Sequence, residues 1–100
     1  MKEDDAKEYI KDVSKYRTRQ KSHFREPIIQ NEKTAVKVAE AVLFNIYGEE
    51  NIKNERPYTI GFADNYWILY GYLPSGYHGG VFTIIIDAEN GEVVSLWHDK

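Results

Sequence analysis

The chain contains no cysteine, which excludes disulfides, thiolate chemistry and cysteine-held metal sites. That absence fits a reducing compartment. No apolar run approaches membrane-spanning length; the longest, within Val81–Ile86, is the size of a strand. The N-terminal residues Met1-Lys2-Glu3-Asp4-Asp5-Ala6-Lys7-Glu8 lack the apolar stretch of a signal peptide. The cytoplasm is therefore the expected location, and no membrane partner is expected. Basic residues are nearly missing from one half. Residues 57–100 hold only Lys100 against Asp64, Asp87, Glu89, Glu92 and Asp99, whereas residues 1–56 hold 12 Lys/Arg against 11 Asp/Glu. An acidic, aromatic-rich half does not neutralise phosphates, which argues against nucleic acid. It permits a basic protein partner; solvated turns that happen to carry acids explain it equally well.

What is present is enough for one core. The chain has 100 residues, 42% of them hydrophobic and 14% aromatic, the usual make-up of a single folded domain. It divides into an N-terminal helix and connector over residues 1–30 and a helix-plus-sheet unit over 31–100. Residues 5–20 carry an apolar stripe of Tyr9, Ile10, Val13 and Tyr16, at helical spacing. Residues 21–31 are a connector, in which Pro27 biases Glu26 away from helix and Ile28-Ile29 form an apolar anchor. Residues 34–47 give the strongest helix, with Ala35, Val38, Ala39, Val42, Leu43, Ile46 and Tyr47 on its apolar face. Thr34 or Asn31 can cap its start, and Gly48 suits its end. Glu49 to Arg56 can add one further turn.

From Pro57 the hydrophobic period changes to two. Strands are expected at Tyr58–Ala63, Tyr66–Leu73, Val81–Asp87 and Glu92–Trp97. Asp64-Asn65 and Asn90-Gly91 are tight-turn signals, and residues 74–80 form a longer loop. The expected architecture is α+β: two N-terminal helices on a curved, four-stranded antiparallel meander. A two-residue turn at Asp64-Asn65 pairs Ala63 with Tyr66. Tyr58, Ile60, Phe62, Trp67, Leu69 and Leu73 then share the face that meets the Val38/Val42/Ile46 helix. Thr59, Gly61, Ala63, Tyr66, Ile68, Tyr70 and Tyr72 share the other. In the second hairpin, alternation groups Phe82, Ile84 and Ile86 with Val93, Ser95 and Trp97. It groups Val81, Thr83, Ile85 and Asp87 with Val94, Leu96 and His98. Neither face is polar, and one helix does not cover both. The second face is therefore covered by the N-terminal helix, by a second copy in a homodimer, or by a partner.

Motifs for chemistry are scarce. His23, His78 and His98 fall at no metal-ligand spacing. There is no nucleophile elbow, P-loop or dinucleotide fingerprint. Gly76-Tyr77-His78-Gly79-Gly80 joins two strands rather than a strand and a helix, so it is no phosphate cradle. No catalytic residue, metal or cofactor is expected. The candidate contact residues for a partner are Tyr66, Tyr70, Tyr72, Tyr77, His78, Asp87, Glu89 and Asp99. Tyrosines bury area while keeping a polar tip, and acids favour a basic partner.

The run Thr34–Leu43, then Ile46-Tyr47-Gly48-Glu49-Glu50-Asn51-Ile52 and Arg56-Pro57-Tyr58, resembles the NTF2-fold immunity proteins of bacterial polymorphic-toxin systems. So do Trp67–Pro74, Gly79-Gly80 and Asp87–Val94, which extend the likeness over roughly residues 30–100. The resemblance implies a cone-like α+β fold and a protein that binds and neutralises a cognate toxin domain. A helix followed by a meander ending Ile86-Asp87-Ala88 and Gly91-Glu92-Val93-Val94 also looks like a PepSY-type, peptidase-associated binding module. A small enzyme of the wider NTF2-like type is a further alternative, and it would need an inward-facing Asp–His pair.

Overall fold

The computed structural model describes residues 1–16, 26–74 and 79–99, with the side chains of residues 14–16 left aside. Three helices precede a four-stranded sheet: α1 (Glu3–Tyr16), α2 (Glu32–Tyr47), α3 (Glu49–Lys53), β1 (Thr59–Ala63), β2 (Tyr66–Tyr70), β3 (Phe82–Asp87) and β4 (Val93–His98). The sheet is an antiparallel meander in the order β1-β2-β3-β4. This is the expected α+β class, and no described helix is long and apolar enough to cross a membrane.

Local chemistry sets the boundaries. Glu3, Asp4 and Asp5 stand in the first turn of α1, where acids meet the positive end of the helix dipole. Of the two capping candidates for α2, Asn31 is the one used: its Oδ1 accepts from the Thr34 N–H at 2.8 Å. Gly48 ends α2 with φ +95°, and its N–H donates to Phe44 O at 3.0 Å. Asp64 and Asn65 hold φ of 52° and 64°, so the first hairpin turns through two left-handed residues, as a tight β-hairpin requires. That turn places Ala63 opposite Tyr66, the expected register. Strand β2 stops at Tyr70, short of the expected Leu73, because the Tyr72 N–H leaves the ladder and donates to Glu55 O at 2.7 Å.

Each sheet face has its own core. On the first face Trp67, Leu69, Phe82, Ile84, Ile86 and Ala88 pack with Ala35, Ala39, Leu43, Ile52 and Ile29. The helix is rotated from the expected contact. Ala35, Ala39 and Leu43 form the buried stripe, while Val38 and Val42 are half-buried and Ile46 is 53% exposed. Two alanines four residues apart let the helix backbone approach the sheet closely, which the branched valines would prevent. Phe62 and Leu73, expected in this core, are exposed. Of the connector's two isoleucines only Ile29 is buried. Its N–H donates to Ala88 O at 3.0 Å and its carbonyl accepts from Trp67 Nε1 at 3.0 Å.

The second face is covered by α1, one of the three expected alternatives. Ala6 and Ile10 pack on Ala63, Tyr66, Ile68 and Ile85, with Met1, Val13 and Val94 at the margin. Gly61 leaves room for Met1, since a Cβ there would collide with the methionine side chain. The expected faces of β4 are half corrected. Ile85 pairs with Ser95 but Ile86 with Val93, so Val94 is an extra residue in a β-bulge. Leu96 and His98 therefore lie opposite Ile84 and Phe82, and Ser95 and Trp97 opposite Ile85 and Thr83. Simple alternation puts all four on the wrong sides.

Candidate functional site

Two regions qualify as a site, and both lie at the end of the sheet where β2 finishes and β3 begins. The first is an aromatic ridge on the second face. One row across the sheet runs Thr59, Tyr70, Thr83, Trp97. Tyr9 of α1 stacks on Tyr70 with ring centroids 5.8 Å apart. Tyr9, Tyr72 and Trp97 all keep more than a third of their surface exposed. The Tyr9 phenol is held above its ordinary pKa, first by burial and then by the nearby Tyr70, Asp99 and Asp5. The ridge thus sits in a negative field made by acids from both ends of the described chain.

The second region is a polar cleft on the opposite side of the same sheet end. After α3 the chain turns at Asn54–Glu55, and Glu55 ties together three segments. Its carbonyl accepts from Tyr72 N, its Oε1 accepts from Phe82 N at 2.9 Å, and its Oε2 stands 3.3 Å from His98 Nε2. The Glu55 side chain is only 13% exposed. Gly71 lies against it, and a Cβ at that position would collide with the carboxylate. His98 turns its other nitrogen to Asp99 O at 2.9 Å and packs on the Tyr47 ring at 5.0 Å. A cleft of about 380 Å³ is lined by Tyr47, Asn51, Asn54, Glu55, Gly80 and His98. It adjoins one of about 360 Å³ that shares Asn54, Glu55 and Gly80 and reaches Tyr72, Leu73 and Pro74. Neighbouring cations are engaged elsewhere: Lys53 with Glu49, and Arg56 with Glu40, each at 2.5 Å.

A third cleft, of about 520 Å³, opens at the other end of the sheet between Glu26, Pro27, Ile29, Gln30, Phe62 and Trp67. Its walls are mostly apolar, and the Trp67 N–H is already donated to Ile29 O. It brings no ionisable pair together.

The residues expected from sequence to face a partner do not form one surface. Tyr70, Tyr72 and Asp99 share the ridge end. Glu89 lies at the opposite end, in the turn between β3 and β4. Tyr66 and Asp87 are corrections. Tyr66 is buried in the core under α1, and Asp87 is fully buried. The Asp87 Oδ1 accepts from Glu89 N at 2.9 Å and its backbone closes the turn to Gly91 and Glu92, so it serves turn geometry rather than a rim. Tyr77 and His78 lie outside the described residues. Glu55 was missed because it stands 43 residues from His98, and no local spacing announces such a pair. Among the described residues no cluster of three or more His, Cys, Asp or Glu is placed to hold a metal ion.

Comparison with known proteins decides the family. The family described as NTF2 fold immunity protein matches residues 34–100, which span nearly all of α2 together with α3 and the whole sheet. The chain belongs to the NTF2 fold immunity protein family. Two Escherichia coli (strain K12) proteins are similar to it. The uncharacterized protein YhhH is 32% identical over 92 residues, covering 91% of this chain and 72% of YhhH. The uncharacterized protein YbbC is 36% identical over 73 residues, covering 72% of this chain but only 60% of YbbC. No solved structure matches the chain. In this immunity protein α1 and the connector lie outside the part that the family matches, yet α1 supplies the cover of the second face.

Proposed function

We propose that this chain is the antitoxic partner of a bacterial toxin, binding a cognate toxin domain and neutralising it without catalysis. Membership of the immunity family carries the reading. It rests on that membership rather than on the PepSY-type likeness. The contact surface in this reading is the sheet end with Tyr70, Tyr72, Trp97 and Asp99, where exposed aromatics stand beside acids. Aromatics of this kind supply most of the energy of protein interfaces, and acids speed encounter with a basic partner.

The test uses the neighbouring gene. A secreted protein with a variable C-terminal domain encoded beside this chain supplies the candidate toxin. Co-expression is expected to restore growth of cells producing that domain, and the two purified chains to elute as one complex. Growth arrest that persists with ample folded immunity protein would count against the reading. The Glu55–His98 pair is the one carboxylate–imidazole contact among the described residues. Among the described residues its cleft is lined by no serine, threonine or lysine nucleophile, and Glu55 is occupied in holding Phe82 N. A hydrolase panel is expected to show no turnover. Turnover abolished by Glu55→Gln or His98→Ala would instead establish an enzyme.

A further inference from the structure

The Glu55 cleft has the composition of a receptor for a cation. Among the described residues its one acid is a carboxylate with little access to water, and no Lys or Arg lines it. The intramolecular contact it does make to an ionisable group, His98 Nε2 at 3.3 Å, is longer than a strong charge-assisted hydrogen bond of about 2.7–2.9 Å. Asn51 donates one amide N–H to Tyr47 O at 2.8 Å, which leaves its Oδ1 as an acceptor beside the second N–H. Tyr47 lines the first half of the cleft and Tyr72 the second, and aromatic rings attract cations. A volume of about 380 Å³ admits one long side chain and excludes a folded segment. A carboxylate in a shielded setting interacts with an incoming charge more strongly than one on the open surface.

We propose that the cleft around Glu55 receives a single lysine or arginine side chain of the protein partner, which the carboxylate and the Asn51 oxygen hold between aromatic walls. The identity of the occupant as a protein side chain rests on the immunity reading; the preference for a cation rests on the cleft alone. The site shares only Tyr72 with the aromatic ridge and opens at the same end of the sheet, so one partner can engage both. Glu55 lies deep and the ridge is shallow, which divides the work: the cleft selects one residue, and the ridge contributes area.

The experiment needs no toxin. The full chain, labelled with ¹⁵N, is titrated with the blocked peptide acetyl-Gly-Arg-Gly-amide, its lysine counterpart, and its uncharged citrulline counterpart. Saturable amide shifts confined to Asn51, Asn54, Gly80 and His98 are expected with arginine or lysine and not with citrulline. Glu55→Gln keeps an oxygen for Phe82 N but removes the charge, and it is expected to weaken the response by about tenfold or more. Should that variant fold poorly, Asn54→Lys on the exposed rim supplies an internal cation and is expected to abolish the response with Glu55 in place. Shifts absent from the cleft, shifts equal with citrulline, or shifts undiminished in the folded variants each overturn the proposal. Peptide binding that persists while no candidate toxin forms a complex would leave the cleft standing and remove the immunity reading, so the two fail separately.

Discussion

Tyr66 and Tyr72 are the same residue type on neighbouring stretches of chain, and their environments call for opposite outcomes. Tyr66 is buried among Ala6, Ile10 and Ile85, so Tyr66→Ala is expected to cost about 3 kcal/mol of stability in denaturant titration. Tyr72 is 48% exposed, and Tyr72→Ala is expected to shift stability by less than about 0.5 kcal/mol. At a partner interface the Tyr72 change should instead lower affinity by about 2 kcal/mol, measured by calorimetry. Gly48 makes a sharper demand on backbone. At φ +95° it holds a conformation that side chains disfavour, and Gly48→Val is expected to cost about 1 kcal/mol or more. Tyr58 gives a pH signature. Burial first, and then its hydrogen bond to Glu40 at 2.6 Å, push its phenol up to about 12 from 10.0. The folded state therefore keeps a proton that the unfolded state releases, and this contribution is whole below pH 10 and is lost as pH rises through about 12. Spectrophotometric titration should show one tyrosine ionising about there, absent in Tyr58→Phe, and moved toward the ordinary value in Glu40→Gln.

Helix α1 is the element whose removal changes most. It alone covers the second face among the described elements, and Ile10 is its largest buried side chain, 1% exposed. Ile10→Ala is expected to cost about 2–4 kcal/mol. Hydrogen exchange should show strand β2 amides protected less in that variant, while α2 stays protected, because the two cores lie on opposite faces of the sheet. How far the elements were legible in the sequence follows their physics. The hairpin at Asp64-Asn65, the Asn31 cap and the Gly48 stop are local chemistry, and each was readable from a few adjacent residues. The rotation of α2 was not, because Val38 and Ala39 look equally apolar in a pattern and differ only in how closely they let the sheet approach. The bulge at Val94 was invisible too: nothing in Val93-Val94-Ser95 marks one of three residues as extra. Of the candidate contact residues, alternation could assign faces but not depth, which is why Tyr66 and Asp87 were placed at the surface.

Across the whole molecule the acids are spread over a fold whose long axis measures 43 Å. Glu89 and Asp99 lie at opposite ends of β3 and β4, so they report separately on where a basic partner approaches. With the interface at the Tyr72 end, Asp99→Asn should slow association at low salt, and Glu89→Gln should change it little; both effects should vanish at high ionic strength. Stopped-flow rates at two salt concentrations make the comparison, and the reverse order would move the interface to the Glu89 end.

The extra residue in β4 works as a phase switch. Upstream of Val94 the strand keeps one alternation, and downstream it keeps the opposite one. Pairing all of β4 without the bulge would put Val94 opposite Ile85 and Ser95 opposite Ile84, swing Trp97 toward α2 and carry His98 to the far side of the sheet, away from Glu55. Loss of the Val94 codon would instead remove the bulge and leave Trp97 and His98 on their present faces, because Ser95 already pairs with Ile85, the neighbour of Ile86.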